Sequence, residues 1–246
     1  MIKYDDPKVE TWKKYWSNQT DPQHVVYSEE WFDKYYKEIL FYIQGNKTIV
    51  DTGCGSGEFL IRMAKDFEQV TGLDYSQTMV NEAVKRINEN GIKNVDVHFC
   101  DATQLDKIVK KKVDVVSSIN AVQYFNLNQL DEFICKSAGL LNENGCIMIM
   151  GIPNFNLKIL YILKFYHKHF FEKITDTQLL KNIIQYKYAF LKKKIRHPRY
   201  IREDPIGFWF TMGELKNLAE KNHLKVEFFY PIYPPYGYRF HVKLTK

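Results

Sequence analysis

The stretch IVDTGCGSGEFL, residues 49–60, decides the fold. Gly53, Gly55 and Gly57 alternate with other residues directly after a short apolar run, and a stretch with a helical pattern follows them. Glycine lets the backbone turn sharply and approach a ligand closely, and the first turn of the following helix offers free N–H groups. A glycine loop between the first strand and a helix is the expected nucleotide position in a doubly wound α/β sheet.

Strand and helix patterns alternate on both sides of that loop. Short strands rich in Val and Ile are predicted at 47–51, 69–74, 94–101, 113–120 and 145–153, with helical patterns between them. Such alternation is typical of a parallel sheet covered by helices on both faces. A helix at 211–224 and two strands joined by a Pro-rich turn close the chain. We predict an α/β fold with a doubly wound, mostly parallel seven-stranded sheet, Rossmann-like, whose last strand is antiparallel.

The chain of 246 residues is predicted to form one domain in four parts. They are an N-terminal helical lid (1–45), a core that binds the cofactor (46–152), a basic helical insertion after the fifth strand (153–210), and a terminal helix with a strand pair (211–246). The net charge is +6, but residues 158–203 alone hold twelve Lys or Arg and three acids. The basic character therefore belongs to the insertion, where it favours an anionic partner.

Several classes of protein are excluded by what the sequence lacks. It has no apolar run of about 18 residues and no signal-peptide pattern at its start. Its four cysteines show neither C-x-x-C spacing nor a histidine at zinc-ligand spacing. We expect reduced thiols, no metal site, no membrane span and a cytoplasmic location.

The ligand of the glycine loop follows from the acids around it. A P-loop is excluded because no lysine follows Gly57 as G-x-x-x-x-G-K requires, whereas the G-x-G-x-G spacing is only one residue shorter than the dinucleotide fingerprint. Asp51, Asp74 and Asp101 end the first three predicted strands. A carboxylate at Asp51 repels a pyrophosphate and attracts an ammonium or a sulfonium group. Asp74 can accept from ribose hydroxyls, and Asp101 can accept from an adenine amino group.

At this point the sequence resembles a known family. The segments VDTGCGSGEF, GLDYS, FCDA and VVSSINAVQYF, within residues 45–152, are similar to successive motifs of the class I S-adenosylmethionine-dependent methyltransferases. The resemblance implies an enzyme that binds S-adenosylmethionine and releases S-adenosylhomocysteine. The predicted cofactor-binding residues are Tyr15, Trp16, Asp51, Gly53, Cys54, Gly55, Gly57, Asp74, Tyr75, Ser76, Met79, Asp101, Ala102, Asn120, Gln123 and Tyr124.

The resemblance also implies a role for each group of these residues. The glycines pass under the methionine and ribose parts, Asp74 binds the ribose beside Tyr75 and Met79, and Asp101 with Ala102 holds the adenine. Asn120, Gln123 and Tyr124 lie by the methionine end and the transferring methyl group. Tyr15 and Trp16 belong to the lid over the cofactor.

The acceptor pocket is predicted over the carboxyl ends of the strands, between the insertion and the C-terminal turn. Methyl transfer is an in-line displacement that needs an aligned acceptor and often its deprotonation. Candidate bases are His197 and His241, and Tyr124 could order the acceptor. The candidate acceptor-binding residues, chosen because Arg offers bidentate donors to phosphate, are Arg196, Arg199, Tyr200, Arg202 and Arg239.

We expect O-methylation of a small metabolite that carries a phosphate or a nucleotide. In type, the chain resembles free-standing methyltransferases of bacterial surface-polysaccharide pathways. Two alternatives stay open. The Lys, Arg, Tyr and Phe of the insertion could serve RNA, although the chain lacks the Pro-Pro-Tyr motif of base amino-methyltransferases after its fourth strand. The chain could also be a scaffold that binds the cofactor without catalysis.

Overall fold

The computed structural model describes Tyr15, residues 28–158, 161, 188, 203–204, 207–232 and 237–246. Its first helix with described bounds, α1 (Glu29–Ile43), begins after Ser28, whose Oγ accepts from the Trp31 N–H at 3.2 Å. Ser28 is therefore the N-cap of α1. One face of α1, carrying Tyr35 and Ile39, is fully buried.

The remaining elements follow the predicted alternation closely. The strands are β1 (Thr48–Thr52), β2 (Gln69–Asp74), β3 (Val95–Phe99), β4 (Val113–Ile119), β5 (Leu141–Pro153), β6 (Glu203–Asp204), β7 (Gly207–Phe208), β8 (Lys225–Phe229) and β9 (Arg239–Thr245). The other helices are α2 (Glu58–Met63), α3 (Gln77–Glu89), α4 (Leu127–Leu140) and α5 (Met212–Lys221). Short 3-10 turns follow β3, β4 and β5 at Ala102–Lys107, Val122–Tyr124 and Phe155–Leu157.

Seven strands form one sheet in the order β3-β2-β1-β4-β5-β9-β8. The neighbours from β3 through β5 are parallel, and β9 is antiparallel to both β5 and β8. The predicted fold class is confirmed, with the refinement that β9 inserts between β5 and β8. The strand order reverses between β1 and β4, so the loops that follow these two strands face one cleft at the carboxyl edge.

Two hydrophobic cores cover the two faces of the sheet, as a doubly wound fold requires. One core packs α4 and α5, through Phe133 and Leu215, against β4, β5 and β9. The other packs α1 and α2, through Tyr35 and Leu60, on the opposite face. α5 begins with a capping box, since Thr211 and Glu214 each accept from the other's backbone N–H. In the part of the chain described here, no helix is long and apolar enough to cross a bilayer.

Candidate functional site

The glycine loop turns through three left-handed residues. Gly53, Gly55 and Gly57 have φ values of +72°, +56° and +86°. The N–H groups of Gly53 and Cys54 both donate to the carbonyl of Leu73, at 2.7 and 3.1 Å, which ties the loop to the end of β2. A Cβ on Gly57 would lie 3.1 Å from the Cβ of Ala83. Glycine here therefore serves both the turn and the close packing of α3 against the loop.

Asp74 joins the glycine loop to the start of α3. Its Oδ2 accepts from the Gly55 N–H at 2.9 Å, and its Oδ1 accepts from the Ser76 N–H at 2.8 Å. Burial raises the pKa of the Asp74 carboxyl, against these backbone hydrogen bonds, which lower it. The half-buried carboxylate thus orders both loops of the cleft while it stands at the carboxyl end of β2.

Asp51 lies beneath the loop and is 1 % exposed. Its Oδ1 accepts from the Ser117 hydroxyl at 2.7 Å. Burial raises the pKa of this carboxyl from 3.8 to about 7; the Ser117 hydrogen bond opposes the shift and the negative charge of Asp74 adds to it. A buried carboxyl with so high a pKa is stabilised as an anion when a positive charge binds nearby.

The carboxyl end of β3 supplies a polar cap and an aromatic wall. The Oδ1 of Asp101 accepts from the N–H and the hydroxyl of Thr103, at 3.0 and 2.8 Å, and Ala102 is buried. The rings of Tyr75 and Phe99 are 5.7 Å apart, and Phe99 is 51 % exposed. Phe99 was not predicted as a site residue; its signal in the sequence is an aromatic at the last position of β3.

Asn120, Gln123 and Tyr124 lie on the loop after β4. This loop faces the glycine loop, which follows β1, across the point where the strand order reverses. Asn120 has a φ of +56°, and its N–H donates to the carbonyl of Met150 at 2.9 Å. Gln123 is buried, and Tyr124 is half-buried on the following 3-10 turn. This loop meets the glycine loop directly, since a Cβ on Gly53 would lie 2.4 Å from the Cβ of Ala121.

The structure thus brings most of the predicted cofactor residues to one edge. Ser76 caps α3 through the Met79 N–H, and both residues are buried. Burial raises the pKa of the Cys54 thiol well above its ordinary value, so this thiol stays protonated. Tyr15 is 48 % exposed. The predicted residues outside the described part of the chain are Trp16, Arg196, His197, Arg199, Tyr200 and Arg202.

His241, predicted as a base, is fully enclosed. Its Nδ1 accepts from the Gly151 N–H at 3.0 Å, and its Nε2 stands 3.4 Å from Oε1 of Glu38, a buried residue of α1. Because Nδ1 accepts, the proton of the neutral ring sits on Nε2. Neither nitrogen then offers a free lone pair, so this arrangement favours a structural role over proton abstraction. Burial of this kind is not readable from a local pattern.

Arg239, predicted to bind the acceptor, is 5 % exposed at the start of β9. Its Nη1 donates to the carbonyl of Gly151 and to Oε1 of Gln123, the latter at 2.6 Å. The guanidinium carbon lies 5.5 Å from the centre of the Tyr238 ring. A second buried cation, Lys158, has its ammonium 5.1 Å from the centre of the Trp209 ring.

Comparison with known proteins shows what the residues of this cleft are similar to. Residues 49–145, from β1 to β5, match the family model described as "Methyltransferase domain". Within these residues the chain is similar to methyltransferase domains. The matched segment contains the glycine loop, the three acids at the strand ends and the loop after β4, so the predicted resemblance to methyltransferases is confirmed for this part of the chain.

Two similar proteins are named for different methylation reactions. A probable (S)-tetrahydroprotoberberine N-methyltransferase 2 of Papaver bracteatum is 31 % identical over 109 residues, which are 44 % of this chain and 29 % of that protein. A ubiquinone biosynthesis O-methyltransferase of Pelagibacter ubique is 32 % identical over 113 residues, 46 % of this chain and 45 % of that protein. The similarity therefore spans less than half of either relative.

Solved structures share the fold of this chain at low sequence identity. Magnesium protoporphyrin IX methyltransferase from Synechocystis PCC 6803, with bound SAM, has a TM-score of 0.61 at 12 % identity and covers 100 % of both chains. Phosphoethanolamine N-methyltransferase 1 of Haemonchus contortus also has a TM-score of 0.61, at 16 % identity, covering 97 % of this chain and 48 % of that one. At such identities the likeness concerns the fold.

Proposed function

We propose that this protein transfers a methyl group from S-adenosylmethionine to a small anionic acceptor. The observation that carries the cofactor assignment is the carboxylate of Asp74, which accepts from the Gly55 and Ser76 N–H groups at the end of β2. It stands between the buried Asp51 and the exposed aromatic Phe99. A cationic nucleoside fits this arrangement, in which a buried acid, a hydrogen-bond acceptor and an aromatic ring follow one another along the edge of the sheet.

In this proposal the residues at the carboxyl ends of β4, β1, β2 and β3 would hold the cofactor. Asp51 would attract its ammonium and sulfonium charges. Asp74 would accept from the ribose hydroxyls, with Tyr75 and Met79 nearby. Asp101, Ala102 and Phe99 would bind the adenine. Asn120, Gln123 and Tyr124 would border the methionine end.

The reaction is an in-line displacement at the methyl carbon. The bound sulfonium would supply the methyl carbon: a lone pair of the acceptor would form the new bond to that carbon while the carbon–sulfur bond breaks, and the electron pair of that bond would stay on sulfur, which becomes a neutral thioether. An acceptor that starts protonated loses its proton, while a phosphate-type oxygen is already ionised. Alignment of acceptor and methyl group supplies much of the acceleration in such a step.

An anionic acceptor is supported by the positive charge of one segment of the sequence and by a buried cation. Residues 158–203 hold twelve Lys or Arg and three acids. The buried cation Lys158, just after the 3-10 turn that follows β5, has its ammonium over the ring of Trp209. A desolvated cation favours a nearby anion such as a phosphate. We therefore infer O-methylation of a phosphate-bearing or nucleotide-linked metabolite, such as a surface-polysaccharide precursor, in the cytoplasm.

The acceptor class is tested by following labelled methyl from S-adenosylmethionine into fractionated cell extract. We expect label in a small product that anion exchange retains, and loss of that retention after phosphatase treatment. Label in RNA alone would replace the proposal by RNA methylation. Cofactor binding without label in any fraction would favour a non-catalytic scaffold. Asp74→Ala protein is the blank, since it should transfer no label.

The charge of Asp51 predicts a pH dependence of cofactor binding. Its carboxyl has a pKa of about 7 in the folded chain, above its ordinary value of 3.8. The free protein therefore holds an extra proton between those values and loses stability as the pH rises through that window. A bound cation favours the anion, so affinity for S-adenosylmethionine should rise with pH, by at most about tenfold per unit, and level off above about pH 7.

Calorimetry between about pH 5 and pH 8 measures this slope in the wild type and in Asp51→Asn. Asparagine can still accept from Ser117 but does not ionise, so the slope should become shallower, with the remainder due to Asp74. S-adenosylhomocysteine, which lacks the sulfonium charge, should also show a shallower slope in the wild type. An identical dependence of S-adenosylmethionine affinity on pH in the wild type and in Asp51→Asn would show that Asp51 does not cause it.

A further inference from the structure

The pairing of β5 with β9 is interrupted next to the cleft. Ile149 pairs with Val242 and Ile152 pairs with Phe240, so the register shifts between them. Gly151 lies in this bulge with a φ of +73°. A bulge disrupts the ladder locally, so the peptide groups there need other partners.

Two side chains of β9 take up the two polar groups of Gly151. Its N–H donates to Nδ1 of His241 at 3.0 Å, and its carbonyl accepts from Nη1 of Arg239. Positions 239 and 241 share one face of the strand because side chains alternate. The bulge is therefore held from β9 by a pair of side chains, which we name the Gly151 clasp (Arg239 and His241).

The same guanidinium group reaches the loop after β4. Arg239 Nη1 donates to Oε1 of Gln123 at 2.6 Å and lies 3.4 Å from Oδ1 of Asn120. Asn120 has a left-handed φ of +56°, which costs energy for a residue with a Cβ. Its Oδ1 occupies the space beside Gly151, since a Cβ built on Gly151 would lie 1.9 Å from that oxygen. The contact with Arg239 and the absence of a side chain on Gly151 are therefore both compatible with this conformation of Asn120.

We propose that Arg239 is a positioning residue that holds Asn120 and the loop 120–124 at the methyl-transfer end of the cleft. The inference rests on the proposed function, in which that loop borders the methionine part of the cofactor. It gives Arg239 a task different from direct contact with the acceptor. A positioning residue changes cofactor affinity with no acceptor present, whereas an acceptor ligand changes only the response to the acceptor.

The test is calorimetry of S-adenosylhomocysteine on purified full-length variants. Arg239→Met removes the donors but keeps the length of the side chain, and we expect about tenfold weaker binding. Lys243→Met is the matched control. Lys243 lies on the same face of β9, but its Nζ donates to the carbonyl of Tyr42, far along the strand from the clasp. Its loss should change the affinity by less than about twofold.

A double-mutant cycle separates positioning from a general loss of stability. Asn120→Gly removes one of the two side chains of the loop that Arg239 contacts and relieves the φ cost. In the Asn120→Gly background, Arg239→Met should therefore cause a smaller loss of affinity than in the wild type. If Arg239→Met does not fold, judged by its melting temperature, Arg239→Lys replaces it; the ammonium lacks the planar fork, and a smaller loss of about threefold is expected.

Three results are distinguishable. Weaker binding by an Arg239 variant, coupled to Asn120, supports the positioning role. Wild-type affinity in the Arg239 variants, or equal losses with and without Asn120, overturns it. No binding of S-adenosylhomocysteine by the wild type would instead contradict the proposed function.

Discussion

Asp74→Ala is expected to weaken the binding of S-adenosylhomocysteine by about 100-fold to 1000-fold. The carboxylate accepts from the Gly55 and Ser76 N–H groups in the free protein, and in the proposal it also accepts from the ribose hydroxyls. Hydrogen bonds to a charged group contribute about 1.5–3 kcal/mol each. Truncation removes the two ribose bonds and also leaves two backbone donors of the cleft without their acceptor.

Asp96→Ala is the control for this measurement. Asp96 is an exposed residue on β3, where it accepts from Nε2 of Gln69 at 2.9 Å. The substitution removes the same charge from the neighbouring strand without touching the glycine loop, so the affinity should change by less than about twofold. Calorimetry on the three proteins decides the assignment. Equal affinity in Asp74→Ala and wild type would refute the cofactor site proposed here.

The parts of the site that are local in sequence were predictable. Asp51, Asp74 and Asp101 each follow an apolar run, and parallel strands end at the same edge, so the pattern alone places the three acids together. Helix caps such as Ser28, Ser76 and Thr211 are read from a few adjacent residues. The seven-stranded sheet follows from the alternation of strand and helix.

The parts that depend on distant contacts were not predictable. The Gly151 clasp contacts a bulge about ninety positions away in the sequence. No residue spacing in the sequence predicts that bulge. For the same reason His241 was expected to be available as a base. Its burial arises because Glu38 of α1 packs against it, and the sequence does not say which helix covers β9. The acceptor has no local signature either, because its pocket is built from separate segments.

Gly53→Ala is expected to lower the free energy of unfolding by about 3 kcal/mol. The new Cβ would lie 2.4 Å from the Cβ of Ala121, and the φ of +72° is strained for any residue with a side chain. The strain costs about 1–2 kcal/mol and the clash about 1–3 kcal/mol. Gly55→Ala is the matched control, because φ is +56° there but no atom lies within 4 Å of the added Cβ. It should lose only the strain energy, as urea denaturation would measure.

The double variant Gly53→Ala, Ala121→Gly separates these two costs. Removing the Cβ of Ala121 leaves its Cα, 3.9 Å from the new Cβ, as the nearest atom. The double variant should therefore be about 1–3 kcal/mol more stable than the sum of the two single changes predicts. Its free energy of unfolding should approach that of Gly55→Ala. Strictly additive losses would show that the two loops do not touch. Ala121 directly follows Asn120, so in the proposed function the contact between Gly53 and Ala121 also sets the distance between the residues that would bind the ribose and those that would border the methyl group.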